Sequence, residues 1–387
     1  MTHTARPTPA TMALRCAACG HTHPLDDLAW RCAKCHGVLD LAGFTPVMPK
    51  AAGLATRRPS LWRYAEALPI GEPHDITMGE GMTPLVTVPG RPAVQLKVDH
   101  LMPTGSFKDR GAVMLAALAA RLGVSRLMAD SSGNAGTAVA AYATRAGIAC
   151  DVYVPAGTSA GKVGQLRAYG ATVHQIPGTR EDTAQAAARA ADEPGVFYAS
   201  HVYHPFFLHG TKTYVLELWE QLGGRLPDTL VLPVGNGTLV LGAHLGCVEL
   251  LHQGLIDRLP RIVAVQAAGC APLATAFADG RPVPSDITAH GTVAEGIAIA
   301  RPARGSQILT AVRATGGTIV TVTDDEVHAA HASLARSGLY VEPTSAVCWA
   351  AIEAGQAGQI PTTPRPDGLP TAVAPLCGSG LKSKPPA

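Results

Sequence analysis

The sequence lacks long apolar runs and carries little charge. No stretch reaches the roughly 18 uninterrupted apolar residues that a membrane helix needs. Residues 1–12 do not show the basic-then-apolar pattern of a secretory signal. Charged residues make up 16% of the chain and the formal net charge is +2, so the composition does not favour a polyanionic partner. These absences predict a cytoplasmic protein that binds neither nucleic acid nor membranes.

Cysteine, by contrast, is present in a defined pattern. The chain has nine cysteines, an odd number that is awkward for a disulfide framework in a reducing compartment. Four of them form two Cys-x-x-Cys motifs separated by twelve residues: Cys16, Cys19, Cys32 and Cys35. This spacing is typical of a zinc ribbon, in which four thiolates complete a closed, structural zinc site. The alternative is four free thiols in a loop. The nearby His21, His23 and His36 are expected to lie around the metal or in solvent.

The length and the pattern of apolar residues indicate an α/β protein of two domains. A chain of 387 residues is too long for one ordinary core. Strands are predicted over residues 94–98, 126–130, 149–154, 171–176, 196–200, 229–234, 262–267, 317–323 and 371–376. Helices are predicted over residues 60–68, 109–122, 135–146, 161–169, 180–191, 206–222, 239–251 and 324–337. Short β-branched runs that alternate with helices favour doubly wound parallel sheets. Residues 282–292 are predicted to form a loop.

Three segments each follow a predicted strand and open a predicted helix. They are residues 103–110, which contain Lys108; the segment Ser132-Gly133-Asn134-Ala135-Gly136; and the segment Gly235-Asn236-Gly237-Thr238. In an open α/β sheet such strand ends line the ligand crevice. A lysine beside a helix start is usually a solvated charge. Because Lys108 occurs together with two glycine-containing segments at other predicted strand ends, its amine is well placed for imine chemistry. Neither glycine segment spells Gly-x-Gly-x-x-Gly, which argues against a dinucleotide.

These segments resemble those of a known family, the fold-type II pyridoxal-phosphate enzymes, and most closely threonine synthase and its relatives. Five motifs occur in the order of that family: Gly79-Glu80-Gly81-Met82-Thr83-Pro84-Leu85, the lysine motif, Ser-Gly-Asn, Gly-Asn-Gly-Thr, and Cys377-Gly378-Ser379-Gly380-Leu381-Lys382. The resemblance implies two doubly wound parallel-sheet domains with the cofactor cleft between them, plus the ribbon. The predicted divisions are a ribbon over residues 12–42, a connecting arm over 43–78, a larger cofactor-binding domain over 79–110 and 205–382, and a smaller substrate-gripping domain over 111–204.

The resemblance also assigns roles to individual residues. Lys108 binds pyridoxal 5'-phosphate covalently and serves as the base. The other residues assigned to the cofactor are Phe107, Asn134, Gly235, Asn236, Gly237, Thr238, Gly296 and Cys377, with Ser379 as a substitute for Cys377. Relatives present a Ser or Thr hydroxyl to the pyridine nitrogen where this chain has Cys377. The residues assigned to the substrate carboxylate and its surroundings are Ser131, Ser132, Gly133, Asn134, Ala135 and Thr83.

The expected activity is that of a lyase acting on a small amino acid by elimination or by elimination and replacement. Authentic threonine synthase, which uses O-phosphohomoserine, and serine/threonine dehydratase both remain open. Threonine synthases carry polar and cationic groups for the substrate phosphate where this chain has His201, Val202 and Phe207. This difference argues against authentic threonine synthase activity. His201, His204 or His209 could compensate. A non-catalytic sensor or assembly protein on the same fold is the alternative outside the enzymes. Relatives are often dimers, which implies a homodimer.

Overall fold

The structure is a computed structural model that describes residues 12–355 and 365–382. The prediction that the first residues are not a secretory signal concerns residues 1–11, which lie outside the described part of the chain. The described chain divides into two compact units. The first unit contains residues 12–80 and 108–211, and the second contains residues 81–107, 212–355 and 365–382.

The first unit begins with a small antiparallel sheet, which we call the ribbon. Its strands are β1 (Ala13–Cys16), β2 (Thr22–Pro24) and β3 (Leu39–Ala42), in the spatial order β2-β1-β3. The arm that follows contains one short helix, α1 (Ala51–Leu54), and a 3₁₀ helix over Leu61–Ala67. Leu14 and Leu39 of the ribbon are 1% exposed and belong to the same buried cluster as Leu118 and Phe206. The ribbon is therefore part of the core of this unit.

The main sheet of the first unit is parallel throughout. Its strands are β6 (Arg126–Ala129), β7 (Ala149–Pro155), β8 (Thr172–Ile176) and β9 (Phe197–Tyr198), in the order β8-β7-β6-β9. Its helices are α2 (Asp109–Arg121), α3 (Asn134–Arg145), α4 (Ala160–Ala168), α5 (Arg180–Ala191) and α6 (Pro205–Thr211). Helix α6 lies against α2 at two glycines. A Cβ on Gly111 would come within 2.4 Å of the Phe207 ring, and one on Gly210 within 2.0 Å of the Arg110 carbonyl oxygen.

The second unit is built on a six-stranded sheet. The strands are β4 (Leu85–Val88), β5 (Arg91–Lys97), β10 (Thr229–Pro233), β11 (Arg261–Ala267), β12 (Thr318–Val322) and β13 (Ala372–Pro375), in the order β12-β11-β10-β13-β5-β4. Its helices are α7 (Thr213–Gln221), α8 (Thr238–His252), α9 (Pro272–Ala278), α10 (Gly305–Ala314), α11 (Asp324–Arg336) and α12 (Pro343–Glu353). All neighbouring strands are parallel except β4, which is antiparallel to β5 at the sheet edge.

The structure confirms the predicted α/β class and its parallel sheets, and it adds several details. The predicted helix over 206–222 is two helices, α6 and α7, which are separated at Lys212; the Thr211 hydroxyl at the end of α6 donates to the Leu208 carbonyl oxygen. The helix predicted over residues 60–68 is a 3₁₀ helix over Leu61–Ala67. Strand β4 and helices α1, α9, α10 and α12 were not predicted. Residues 282–292 are a loop, as predicted. Across the described ranges, no helix is both long and apolar enough to cross a membrane.

Candidate active-site residues

The turn before Lys108 is tied to the end of strand β13 in the second unit. Gly105 has a φ of +76°, which favours glycine, and its N–H donates to the Met102 carbonyl oxygen at 2.7 Å. The N–H of Phe107 donates to the Cys377 carbonyl oxygen at 2.9 Å, and the Ser379 N–H donates to the Gly105 carbonyl oxygen at 2.9 Å. Two predicted cofactor residues, Cys377 and Ser379, thus hold the turn that leads into the lysine.

Lys108 itself starts helix α2 in the first unit. Its carbonyl oxygen accepts hydrogen bonds from the N–H groups of Gly111 and Ala112 at 3.1 and 2.9 Å. The side chain is half-buried, and its Nζ lies 5.8 Å from the centroid of the Phe207 ring. Because Gly111 has no side chain, the Phe207 ring can approach the start of this helix. The amine therefore stands beside an apolar wall made by one aromatic ring.

The loop containing Gly235 and Gly237 joins β10 to α8 and packs against Ile297 and Ile308. Gly237 has a φ of +75°, and a Cβ there would come within 2.2 Å of Ile308 Cδ1. A Cβ on Gly235 would come within 2.8 Å of the Ile297 Cα. The first turn of the 15-residue helix α8 contains no acidic residue. The N-terminus of a helix favours an anion, so this loop suits a phosphate group.

The first turn of helix α12 connects the remaining predicted cofactor residues of the second unit. The Gly296 N–H donates to Thr344 Oγ1 at 3.1 Å, and the Gly296 carbonyl oxygen lies 3.3 Å from the position of a Cβ on Gly235. The Ser345 hydroxyl accepts from the Gly378 N–H at 2.9 Å, next to Cys377. The structure therefore brings Gly296, Gly235 and the segment after Cys377 into one neighbourhood.

Glu342, at the N-terminus of α12, is a candidate that the sequence reasoning missed. Its backbone N–H donates to the Gly378 carbonyl oxygen at 3.0 Å. Its carboxylate covers the same residue, because a Cβ on Gly378 would come within 2.4 Å of Glu342 Cδ. The available signal was Glu342-Pro343, an acidic residue before a proline at the first position of a helix. That signal indicates a helix start but says nothing of Gly378.

The segment predicted to bind the substrate carboxylate forms a tight turn at the start of α3. Residues Ser131, Ser132, Gly133 and Asn134 are half-buried and Ala135 is buried. The Ser131 hydroxyl accepts from the Gly133 N–H at 3.3 Å. A Cβ on Gly136 would lie 1.8 Å from the Ser131 carbonyl oxygen, so only glycine permits this fold. The first turn of α3 has no acidic residue, which suits an anionic ligand.

Thr83 was predicted to contact the substrate, and in the structure its hydroxyl has a protein partner. It is 5% exposed and donates to Asp99 Oδ1 at 2.6 Å. Its carbonyl oxygen accepts from Lys97 Nζ at 2.6 Å, and Lys97 also pairs with Glu217 at 2.7 Å with both side chains fully buried. Thr83 is thus part of a buried polar network in the second unit.

Glu80, in the first motif of the resemblance, is the centre of a buried network in the first unit. It is 0% exposed. Its carboxylate accepts hydrogen bonds from Trp62 Nε1 at 2.6 Å, the Thr77 hydroxyl at 2.8 Å, the Met78 N–H at 2.8 Å and the Tyr142 hydroxyl at 3.0 Å. Burial, followed by the charges of Asp109 and Glu80, raises the pKa of Tyr142. This carboxylate links the arm to helix α3, which starts at the predicted substrate loop.

The four predicted metal ligands lie together in the ribbon. The sulfur atoms of Cys16 and Cys35 are 3.4 Å apart and those of Cys19 and Cys32 are 3.6 Å apart. Zinc–sulfur bonds of about 2.3 Å in a tetrahedron place sulfur atoms about 3.8 Å apart. A Cβ on Gly37 would lie 3.1 Å from the Cys16 sulfur, so glycine leaves room for the cluster.

The two halves of the ribbon repeat the same backbone hydrogen bonds. The N–H groups of Cys16 and Cys32 each donate to the carbonyl oxygen five residues later, that of His21 or Gly37, at 2.8 and 2.9 Å. The carbonyl oxygens of Cys16 and Cys32 each accept from the residue four positions later, Gly20 or His36, at 3.0 and 2.8 Å. This repetition turns the first cysteine of each pair toward the same point, so the donor set suits a tetrahedral metal ion.

Each unit contains groups that suit a pyridoxal-phosphate cofactor. An amine begins α2, the start of α8 lacks acidic groups, and Gly235 and Gly237 have side-chain positions that neighbouring atoms fill. Parallel α/β sheets with these loops define the class of fold-type II pyridoxal-phosphate enzymes. Residues 76–365 match the family described as pyridoxal-phosphate dependent enzyme. The chain belongs to this family.

Individual proteins that are similar to this chain support the same conclusion. The threonine synthase of Methanosarcina acetivorans is 36% identical over 342 residues, which cover 86% of this chain and 84% of the relative. The threonine synthase of Mycobacterium leprae is 37% identical over 332 residues, covering 82% and 87%. Among solved structures, the T.th. threonine deaminase has a TM-score of 0.62 at 27% identity, with 79% and 94% of the two chains covered. Maize serine racemase, at 23% identity and a TM-score of 0.63 over 77% and 88% of the two chains, shares the fold. The chain is a pyridoxal-phosphate-dependent lyase of the elimination or replacement type.

Proposed function

We propose that this enzyme forms threonine from a small amino acid that carries a leaving group on its γ carbon, as in O-phosphohomoserine. This proposal rests on the observation that two relatives named threonine synthase are 36% and 37% identical to this chain over more than four fifths of its length. The cofactor, when bound, supplies an electron sink that stabilises negative charge at the substrate's α carbon. The protein supplies the binding groups, the orientation and the base.

Lys108 has the central role in this proposal. Its ε-amino group would hold the cofactor covalently. When it is not bound to the cofactor, the same amine would serve as the base that takes the proton from the substrate's α carbon and as the acid that returns it. The half-buried position of Lys108, with its Nζ 5.8 Å from the centroid of the Phe207 ring, supports this role, because a solvated surface lysine would lack such an enclosure.

The other cofactor residues hold and orient the ring. Gly235, Asn236, Gly237 and Thr238 would donate their N–H groups to the phosphate, which the absence of acidic groups in the first turn of α8 supports. Phe107 and the carbonyl of Gly296 would contact the ring. Asn134 would donate to the ring hydroxyl. Cys377 would lie at the pyridine nitrogen, since its carbonyl oxygen accepts from the Phe107 N–H directly before Lys108, and Ser379 is the substitute.

The substrate carboxylate would bind at the start of α3. The N–H groups of Ser132, Gly133, Asn134 and Ala135 are the proposed donors, together with the Ser131 hydroxyl. The tight turn enforced by Gly136 supports a fixed arrangement of these donors. Thr83 would act near the substrate through its place in the Asp99 and Lys97 network rather than through a free hydroxyl.

A dehydratase acting on serine or threonine is the second candidate. Val202 and Phe207 are 9% and 0% exposed and apolar, where a phosphate-bearing substrate calls for charged donors. The identity of 27% to a threonine deaminase structure agrees with this candidate. The Nδ1 atom of His204 accepts from the Phe206 N–H at 3.3 Å at the start of helix α6, so this nitrogen is not a donor for a phosphate.

The finer properties of the protein are proposals as well. The cysteine cluster would bind one structural zinc ion. None of the nine cysteines, all of which lie in the described ranges, forms a disulfide, which agrees with a reducing compartment such as the cytoplasm. A homodimer and the absence of a nucleic-acid partner remain predictions from the sequence.

Two measurements test the proposal. The purified enzyme is incubated with O-phosphohomoserine, and in a parallel reaction with threonine and serine. Release of phosphate with threonine as product supports threonine synthesis, whereas a keto acid from threonine or serine supports the dehydratase. In the second measurement, borohydride reduction followed by peptide mass spectrometry is expected to find the pyridoxyl group on Lys108. A Lys108→Ala variant that remains yellow and active would refute the role of this residue.

A further inference from the structure

The ribbon contacts the main sheet of the first unit through one tryptophan. Trp30 lies between β2 and β3, two residues before Cys32, and is 8% exposed. Its ring meets the rings of Tyr198 and Tyr203 edge to face, with centroids 5.2 and 5.0 Å apart. It belongs to a buried cluster with Met128 of strand β6. The chain segment that carries a predicted metal ligand thus packs directly on strands β6 and β9.

A single carboxylate holds this tryptophan in position. Trp30 Nε1 donates to Asp192 Oδ1 at 2.9 Å, and Arg31 Nη2 donates to Asp192 Oδ2 at 2.7 Å. The Arg31 guanidinium lies 4.3 Å from the centroid of the Trp30 ring. Asp192 follows the last residue of α5. The ion pair is exposed and stabilises little by itself, but it fixes the ring against the two tyrosines.

Tyr198 connects the tryptophan to the segment before the substrate loop. Strand β9 is parallel to β6, with Tyr198 opposite Met128, and the Ala199 N–H donates to the Met128 carbonyl oxygen at 2.8 Å. Burial, followed by the charge of Asp130, the residue directly before Ser131, raises the pKa of Tyr198 well above its ordinary value. The contacts run from the Trp30 ring to Tyr198 of strand β9, then to Met128 of strand β6, and that strand leads into the loop.

We propose that the ribbon positions the substrate-binding loop, with Trp30 and Tyr198 as positioning residues for residues 131–135. In this arrangement the ribbon affects the affinity for the substrate carboxylate without contacting the substrate. The proposal rests on the proposed role of residues 131–135. The competing explanation is that the ribbon only covers apolar surface, in which case its loss lowers stability and leaves affinity unchanged.

The test uses the full-length holoenzyme and three variants. Trp30→Ala removes the tryptophan ring, Tyr198→Leu removes the ring that faces it, and the third variant combines both. Arg225→Ala is the control, since Arg225 pairs with Asp367 at 3.1 Å in the second unit and that pair is also exposed. Zinc and cofactor content are measured for every variant, together with KM and kcat for the amino-acid substrate and amide hydrogen exchange over residues 126–137.

The expected result is a KM increase of about 10-fold for Trp30→Ala and for Tyr198→Leu, with kcat changed by less than about 2-fold. The double variant is expected to resemble the single ones, because both changes break one chain of contacts. Amide hydrogen exchange over residues 126–137 should be faster in the two single variants and the double variant than in the parent, and unchanged in Arg225→Ala. Faster thermal unfolding with unchanged KM and unchanged exchange in this segment overturns the proposal.

The exchange measurement separates this inference from the proposed function. If the enzyme turns over none of the amino acids offered, the proposed function fails. Faster exchange over residues 126–137 in Trp30→Ala still supports the positioning role in that case. If turnover is normal and exchange is unchanged, the proposed function stands and the positioning role fails.

Discussion

The backbone N–H of Phe107 donates to the carbonyl oxygen of Cys377, with the two atoms 2.9 Å apart. Ser106 and Gly378 form an antiparallel bridge beside it, and the Lys382 amine donates to the Thr104 carbonyl oxygen at 2.8 Å. The peptide directly before the lysine is therefore fixed to the end of the central strand β13. Fixing the backbone directly before the lysine limits the positions that its amine can reach, which suits its proposed role.

Replacement of Gly237 is expected to weaken cofactor binding. Gly237→Ala introduces a Cβ at a φ of +75° and within 2.2 Å of Ile308 Cδ1, so the loop or the isoleucine must move. A loss of about 1.4 kcal/mol in cofactor binding corresponds to a 10-fold higher dissociation constant. The loss of affinity is measured from the cofactor that each protein retains on dialysis, followed by its visible absorbance.

Gly254→Ala is the matched control for that variant. Gly254 also has a positive φ, +66°, but a Cβ there meets no atom within 4 Å. Both substitutions carry the same kind of backbone strain, and only Gly237→Ala disturbs the loop. Equal cofactor retention by the two variants would contradict the assignment of the phosphate site to residues 235–238.

Glu80 is expected to be among the most sensitive residues for stability of the first unit. Glu80→Gln leaves one acceptor oxygen for four donors and turns its own NH₂ group toward them, which is expected to lower the free energy of unfolding by about 2–3 kcal/mol. Tyr142→Phe removes one of the four bonds and should cost about 1 kcal/mol. Urea unfolding of both variants gives the two values. A Glu80→Gln variant as stable as the parent would mean that the carboxylate does not hold the arm on α3.

Much of the fold and of the candidate site could be predicted from local sequence. Lys108 at the start of α2, the glycines after β10 and the paired cysteines each have a signature within a few residues. The partners of Glu80 could not be predicted in this way, because Trp62 and Tyr142 lie 18 and 62 positions away. Trp30 and Asp192 are 162 positions apart for the same reason. Packing between distant segments selects these pairs, and neither partner carries a local pattern.

Acid is expected to weaken the first unit through Asp151 on strand β7. Burial acts to raise the pKa of this carboxyl, but hydrogen bonds from Arg126 and His174 outweigh it, and the pKa is lowered from its ordinary value of 3.8. A lowered carboxyl pKa contributes stability above pH 3.8, and this stability is lost as the pH falls below that value through the folded-state pKa. Asp151→Asn should lower the free energy of unfolding by about 1 kcal/mol at pH 7, since Arg126 is largely exposed.

Urea unfolding of the parent and of Asp151→Asn between pH 3 and pH 7 measures this effect. The difference between the two proteins is expected to be constant at neutral pH and to shrink below pH 3.8 as the parent carboxyl becomes protonated. A difference that persists undiminished at the lowest pH would show that the charge of Asp151 is not the source of the stability.

The cysteine cluster is expected to hold about one zinc ion per chain, and the loss of one ligand should release it. Cys19→Ser removes an exposed sulfur without creating a cavity in the core, so its effect reports on the metal rather than on packing. Cys270→Ala is the control, because this thiol is buried and lies outside the cluster. Elemental analysis of the purified proteins is expected to find zinc in the parent and in Cys270→Ala and little in Cys19→Ser. Because the ribbon shares a buried cluster with Leu118 and Phe206, Cys19→Ser should also unfold at a lower urea concentration than the parent. Equal zinc content in all three proteins would argue that the four sulfur atoms do not form the metal site.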